Sequence, residues 1–296
     1  MPKFAHEQIR TQGTELIDPQ TGIAQGSTLA QINHLPEHEK RAIYISLIPP
    51  PLFARFRLSP ASLDSTGGES FFRCLCTPRT ASVRLELRHR PDAEDPVFLL
   101  EMRDTPFGDI EILFLNINDP FAERFYIDRD PAGNDTAFAT ISRNIPEEIR
   151  AMQAGLAPGQ IRRGLRLFRN FWVHAREFGR RFGVKHVKVE PLAYHNAVMH
   201  EFYGFRYMSG HDMMERINRE FLPGGRLYES LDGSTPFRYP GFARSIRGRS
   251  WAIHDGILGE AWQCPRMYYE LDPSDDRPYP PFTCRISRHY YDLAGS

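Results

Sequence analysis

Between Arg162 and Lys188 the chain carries nine cationic side chains (Arg162, Arg163, Arg166, Arg169, Arg176, Arg180, Arg181, Lys185 and Lys188) against one acid, Glu177. A solvated helix face often holds a charge run. A face serving only for solubility, however, intersperses acids with bases so that side chains pair along the surface. The run also suits anion binding. N–H groups at a helix start carry partial positive charge, and arginines add two-pronged donors for phosphate oxygens. A pyrophosphate with a ribose phosphate would fit such a site, and so would a nucleic-acid backbone. Groups able to move protons follow within fifteen residues of Lys188. Glu190 stands at a strand end, where it reads either as a surface residue or as a base for an amine proton. His200 is suited to acid–base work near neutral pH, or is simply a helix surface residue. Tyr203 offers a phenol, or packs in the core. His195 and His200 are five residues apart, which does not align them on one helix face for a metal. No metal site is expected.

The elements that must position these groups are legible by pattern. Ser82–Arg88 alternates, with Val83, Leu85 and Leu87 on one side and Arg84, Glu86 and Arg88 on the other. Pro96–Arg103, Asp109–Ile117 and Glu123–Asp128 are further strand candidates, broken by turns rich in Pro, Gly and Asp. This is the pattern of an antiparallel meander. Pro146–Gln153 predicts a helix with Pro at its start and acids in its first turn. Leu165, Phe168, Trp172, Ala175 and Phe182 form an apolar stripe at helical spacing and the arginines form another, which predicts an amphipathic helix over Gln160–Phe182. Gly183 ends it, Val184–Glu190 returns as a strand beside the meander, and His195–Phe205 is a short helix ending in Gly-Phe. Strands first, then helix, strand and helix, is an α+β arrangement.

These segments resemble the coenzyme A half of the GNAT-type N-acetyltransferases. That family cradles the pyrophosphate of acetyl-coenzyme A with a loop and helix start of the form Gln/Arg-x-x-Gly-x-Gly/Ala, often preceded by Pro. This chain reads Pro158-Gly159-Gln160-Ile161-Arg162-Arg163-Gly164-Leu165-Arg166, with one residue inserted and Arg166 where the last small residue stands. Asn196 and Ala197 resemble the family's Asn followed by Ala, and Gly204-Phe205 its Gly-Phe. The family's usual Tyr, the acid that reprotonates the coenzyme A thiolate, falls on His200, with Tyr203 as the other candidate. Arg266–Leu271 is similar to the closing strand, although roughly sixty residues separate it from Phe205. The resemblance implies a mostly antiparallel central sheet flanked by helices. It implies a coenzyme A thioester (or a phosphopantetheine carrier) as donor, bound by Gln160, Arg162, Arg163, Gly164, Leu165, Arg166 and Asn196. It implies acyl transfer to an amine, with Glu190 as base and His200 or Tyr203 as acid. Long-chain donors and N-acyl amino acid or acyl-lactone products stay open.

The similarity is best over 158–208. It implies a domain at 71–272 with an insertion at 209–263, an N-terminal extension at 1–70 and a tail at 273–296. The 296 residues contain equal numbers of Lys+Arg and Asp+Glu, 37 each, so no global charge draws the chain to nucleic acid or anionic membrane. Four cysteines (Cys74, Cys76, Cys264 and Cys284) lack zinc-site spacing and read as reduced thiols. The N-terminal MPKFAHEQIR has no apolar leader, and the longest apolar run, 42–54, is broken by three prolines, so no membrane span is expected. A cytoplasmic acyltransferase is the expectation. The alternative is a non-catalytic protein of the same fold whose basic helix binds nucleic acid or an acidic partner.

Overall fold

The computed structural model describes residues 28–63, 70–137 and 141–272. They form an α+β structure built on one seven-stranded sheet. Its strands are β1 (Phe72–Leu75), β2 (Ser82–Leu87), β3 (Phe98–Asp104), β4 (Ile110–Ile117), β5 (His186–Val189), β6 (Arg206–Ser209) and β7 (Arg266–Glu270). Their order in the sheet is β1-β2-β3-β4-β5-β7-β6. All neighbours are antiparallel except β4 and β5, which run parallel.

The register sorts the side chains by chemistry. Val83, Leu85 and Leu87 lie opposite Met102, Leu100 and Phe98, and these lie opposite Ile112, Leu115 and Ile117. That face is apolar. Arg84, Glu101 and Phe114 make one row of the opposite, largely charged face. An antiparallel sheet can leave one face to water in this way. Helix α5 (Phe168–Arg181) packs on the apolar face, with the rings of Phe171 and Phe98 at 6.0 Å and those of Trp172 and Tyr269 at 5.0 Å.

The helices before the sheet, α1 (Leu29–Ile32), α2 (Glu37–Ile45) and α3 (Pro50–Phe56), share this core. Tyr44 of α2 stacks on Phe178 of α5 at 6.4 Å and donates to Asn33 Oδ1 at 2.6 Å. Asn33 Nδ2 in turn donates to the carbonyls of Thr80 and Ser82. The Asp104 carboxylate accepts the N–H groups of Leu29 and Ala30, capping α1 from β3.

Two expected elements differ. Glu123–Asp128 is not a strand. Its alternating Phe125 and Ile127 point instead into a separate small cluster with Ala151, Leu156 and Ile161, under α4 (Ile145–Gln153). The Tyr126 N–H is taken by the Glu147 carboxylate rather than by a neighbouring strand. The long helix starts at Phe168, not at Gln160. The Leu165 N–H donates to the Ile117 carbonyl and the Asp119 N–H to the Arg163 carbonyl, so backbone groups a helix would use internally are spent on the end of β4. Gly159 and Arg166 also adopt positive φ, 81° and 59°, which a right-handed helix excludes.

The remaining helices are α6 (Tyr194–Phe202), α7 (His211–Glu220), α8 (Arg226–Glu229) and α9 (Ile246–His254). The segment expected as an insertion thus holds helices rather than turns alone. Every residue from Ile246 to Ile253 is buried, including Arg247 and Arg249. The Arg249 guanidinium is satisfied by the Ala243 carbonyl and Asn218 Oδ1, as a buried charge requires. Among the described residues no helix is long and apolar enough to cross a membrane.

Candidate functional site

The sheet opens beside β4. The parallel ladder holds for three rungs, Ile110–Val187, Glu111–Lys188 and Ile112–Val189. At the next residue β4 bulges. Glu101 pairs with Phe114 but Met102 pairs with Ile112, leaving Leu113 as an extra residue. β5 ends at Val189 while β4 continues to Ile117. At the far end of β4 the gap is closed again, because Asn118 forms an antiparallel bridge with Gly164. The edge of Leu113–Asn116 between these two closures has no strand beside it among the described residues. An open edge presents alternating N–H and C=O groups to any extended ligand.

The loop that closes the gap is the segment expected to hold a phosphate. Gln160 is turned inward, its Oε1 accepting the Ala157 N–H at 2.8 Å. Arg162 is also spent, with Nε donating to Asp95 Oδ2 at 2.9 Å. Arg163, Arg166 and Arg169 are exposed. Among the described residues no carboxylate lies within ion-pair reach of Arg163 or Arg169. Helix α5 begins directly behind this loop with no side-chain cap and no acid in its first turn. Its uncapped start follows Arg163 and Arg166 and carries Arg169 in its first turn, a sequence of charges favourable for an anion.

Three more of the basic run, Lys188, Arg180 and Arg176, have structural partners. Lys188 Nζ contacts Asp109 at 2.7 Å, with His186 on the same carboxylate at 2.9 Å. Hydrogen bonds from Lys188 and His186 hold the Asp109 carboxyl below its usual range against the cost of burial. Arg180 Nε meets Asp272 at 3.1 Å, and Arg176 donates to the Tyr269 hydroxyl at 3.4 Å.

Helix α6 brings Asn196, His200 and Tyr203 to spacings of four and three residues, one stripe along the helix. The stripe meets the start of α5, where Phe168 lies 4.5 Å from the Tyr203 ring and 5.7 Å from the His200 ring. Phe205 closes the other side of His200 at 4.9 Å. This aromatic surround pushes the His200 imidazole down to about 4, and its buried Nδ1 has no hydrogen-bond partner. At neutral pH the ring is therefore uncharged. Glu190 follows the last β5 residue, at the mouth of the gap, and pairs with Arg266 Nε at 2.8 Å. The structure brings Arg163, Gly164, Leu165 and Arg166 to the end of β4, sets His200 and Tyr203 against the start of α5, and leaves Glu190 on β5 beyond the last rung.

Some chemistry was not legible in the sequence. Glu201 accepts from the Tyr207 hydroxyl at 3.0 Å, while its Oε1 is buried without a partner. Burial pushes this carboxyl up to about 8. Ser250 Oγ lies 2.9 Å from His195 Nδ1, and both are buried. Glu148 is 1% exposed, held by Arg143 and by His254 at 3.3 Å. A glutamate in a helix's first turn reads as surface, so nothing in its neighbours marked it. His211, Asp212 and Glu215, at the start of α7, place ligand atoms within 4.8 Å of one another, two of them on exposed side chains. Neither a protein-family model, nor a curated protein, nor a solved structure matches this chain.

Proposed function

We propose that the chain is a GNAT-type acyltransferase that moves an acyl group from coenzyme A, or from a carrier's phosphopantetheine, to an amine. The observation that carries this reading is the gap beside β4, bounded by the bulge at Leu113 and by an arginine-bearing loop at the other end. A pantetheine arm has two amides and is extended, so it can pair with the free edge of Leu113–Asn116 as a short strand would. Its pyrophosphate then falls toward Arg163, Arg166, Arg169 and the start of α5. Gln160 and Arg162 hold that loop in shape rather than touch the donor, since their side chains are spent on Ala157 and Asp95.

The amine nitrogen attacks the thioester carbonyl carbon. The N–C bond forms, the C–S bond breaks, and the electron pair leaves on sulfur. Glu190, paired with Arg266 Nε, takes the amine proton. Tyr203 returns a proton to the thiolate. An uncharged His200 has no imidazolium proton to give, so its part is to shape the aromatic wall behind Tyr203.

A second reading rests on Arg166, an exposed arginine where the family has a small residue. In it the same three guanidinium groups grip a nucleic-acid backbone or an acidic partner and no transfer occurs. Calorimetry with coenzyme A, then thiol release from an acyl-coenzyme A across an amine panel, separates the two. Binding with amine-dependent thiol release supports the enzyme. No binding of coenzyme A, with salt-sensitive binding of nucleic acid, overturns it.

A further inference from the structure

The charged face of the sheet is not flat. Segment 128–135 lies over β2, β3 and β4 and borders a half-open cleft of about 470 Å³, within the roughly 300–1,000 Å³ of small-ligand sites. Its apolar lining is Leu99 and Phe114, and its charged lining is Arg84, Glu101, Arg129, Asp135 and Asp128, the last held by Arg124 at 2.7 Å. Phe114 is the residue after the bulged Leu113, so the apolar lining borders the gap beside β4.

The lining charges are not equally committed. Arg84 shares its guanidinium between Glu86 and Glu101, each at 2.8 Å. Arg129 and Asp135 differ. The Arg129 carboxylate contact is a long one, to Glu94 at 3.6 Å, and its side chain is 53% exposed. The Asp135 carboxylate accepts the Ala137 N–H at 2.7 Å and has no cation in ion-pair reach among the described residues. An antiparallel bridge joins Arg129 to Asp135, so the two stand side by side at the mouth. A cation and an anion, adjacent, in a cleft with an apolar lining, fit a ligand that carries both charges and an apolar group. The guanidinium takes a carboxylate in a two-pronged bond, the Asp135 carboxylate takes an ammonium, and Leu99 and Phe114 take the side chain.

From this we infer that the cavity is the acceptor site and that the acceptor is a free amino acid with an apolar side chain. The inference rests on the acyltransferase reading. The ammonium releases one proton to solvent, the amine attacks the thioester carbon, the N–C bond forms as the C–S bond breaks, Glu190 takes the second amine proton and Tyr203 protonates the thiolate, so the products are an N-acyl amino acid and a free thiol with no change in oxidation state.

The test is calorimetric titration of the full chain with phenylalanine, with phenethylamine, which lacks the carboxylate, and with 3-phenylpropanoate, which lacks the ammonium. Phenylalanine is expected to bind about tenfold or more tighter than either, the scale of one charged hydrogen bond. Arg129→Gln should erase its advantage over phenethylamine, and Asp135→Asn its advantage over 3-phenylpropanoate. Equal binding of the three, or no change in either variant, overturns the inference. Coenzyme A titrated into the same samples separates the failures. If coenzyme A binds and phenylalanine does not, the cavity assignment falls and the acyltransferase reading stands. If phenylalanine binds and coenzyme A does not, the acceptor role falls with the acyltransferase reading.

Discussion

His200 ties the protein's stability to pH in a way that can be worked out in advance. Its ring lies between Phe168 and Phe205, with a buried nitrogen that has no partner. That environment lowers the imidazole from 6.5 to about 4. The unfolded chain therefore binds this proton at a higher pH than the folded one. The contribution of His200 is fully present above about 6.5 and is lost as pH falls toward 4. At roughly 1.4 kcal/mol for each pH unit of separation, the whole effect is about 3 kcal/mol, most of it expressed by pH 4.5. Replacing the ring with an apolar one, His200→Phe, removes the titrating group and keeps the aromatic wall. Urea unfolding at pH 7.5, 5.5 and 4.5 reads the difference. The wild type should lose about 2–3 kcal/mol more than the variant between the first and last of these. Parallel losses in the two proteins, or an NMR titration of His200 near 6.5, would refute the argument and reopen the imidazolium as a proton donor.

Other substitutions separate structural from functional groups. Glu148→Ala should cost about 3 kcal/mol in chemical unfolding, because it removes the buried carboxylate between Arg143 and His254 and leaves Arg143 only its longer contact to Asp255. Arg163→Ala should weaken coenzyme A binding by about 1–3 kcal/mol in calorimetry with little change in stability. Arg162→Ala should do the reverse, lowering the melting temperature, since its guanidinium serves Asp95 inside the loop. Tyr203→Phe should slow acyl transfer by about 10²–10⁴-fold while leaving donor affinity intact, and full activity in that variant would remove Tyr203 from its role.

What the sequence disclosed follows the physics of each segment. β2 was legible because Val83, Leu85 and Leu87 alternate with charges and all three enter the main core. The same logic misled at Glu123–Asp128. Phe125 and Ile127 alternate because they enter a small core, and alternation alone does not say that a strand partner exists. The helical spacing of Leu165 with Phe168 and Trp172 ran the expected helix back to Gln160. The bonds that stop it, from Leu165 and Asp119, link positions nearly fifty residues apart and leave no local trace. The basic run showed where cations concentrate but not which were spent. Arg162 and Lys188 look like Arg163 in the chain and differ only through Asp95 and Asp109. Helix α9 was illegible for the same reason, since a segment with Arg247, Arg249 and Ser250 does not read as buried until its partners are known. Phe114 and Asp135, on which the acceptor site depends, come together only through the fold.

The proposed acyl transfer depends on the open edge of β4, and amide hydrogen exchange tests it directly. Adding coenzyme A should slow exchange at Leu113–Asn116 and at 163–170 together, because the donor would cover the strand edge and the helix start at once. Exchange elsewhere on β2 and β3 should be unchanged. If coenzyme A leaves both segments as they were, or protects the arginine loop while Leu113–Asn116 exchanges freely, then no acyl donor lies beside β4 and the proposed activity fails.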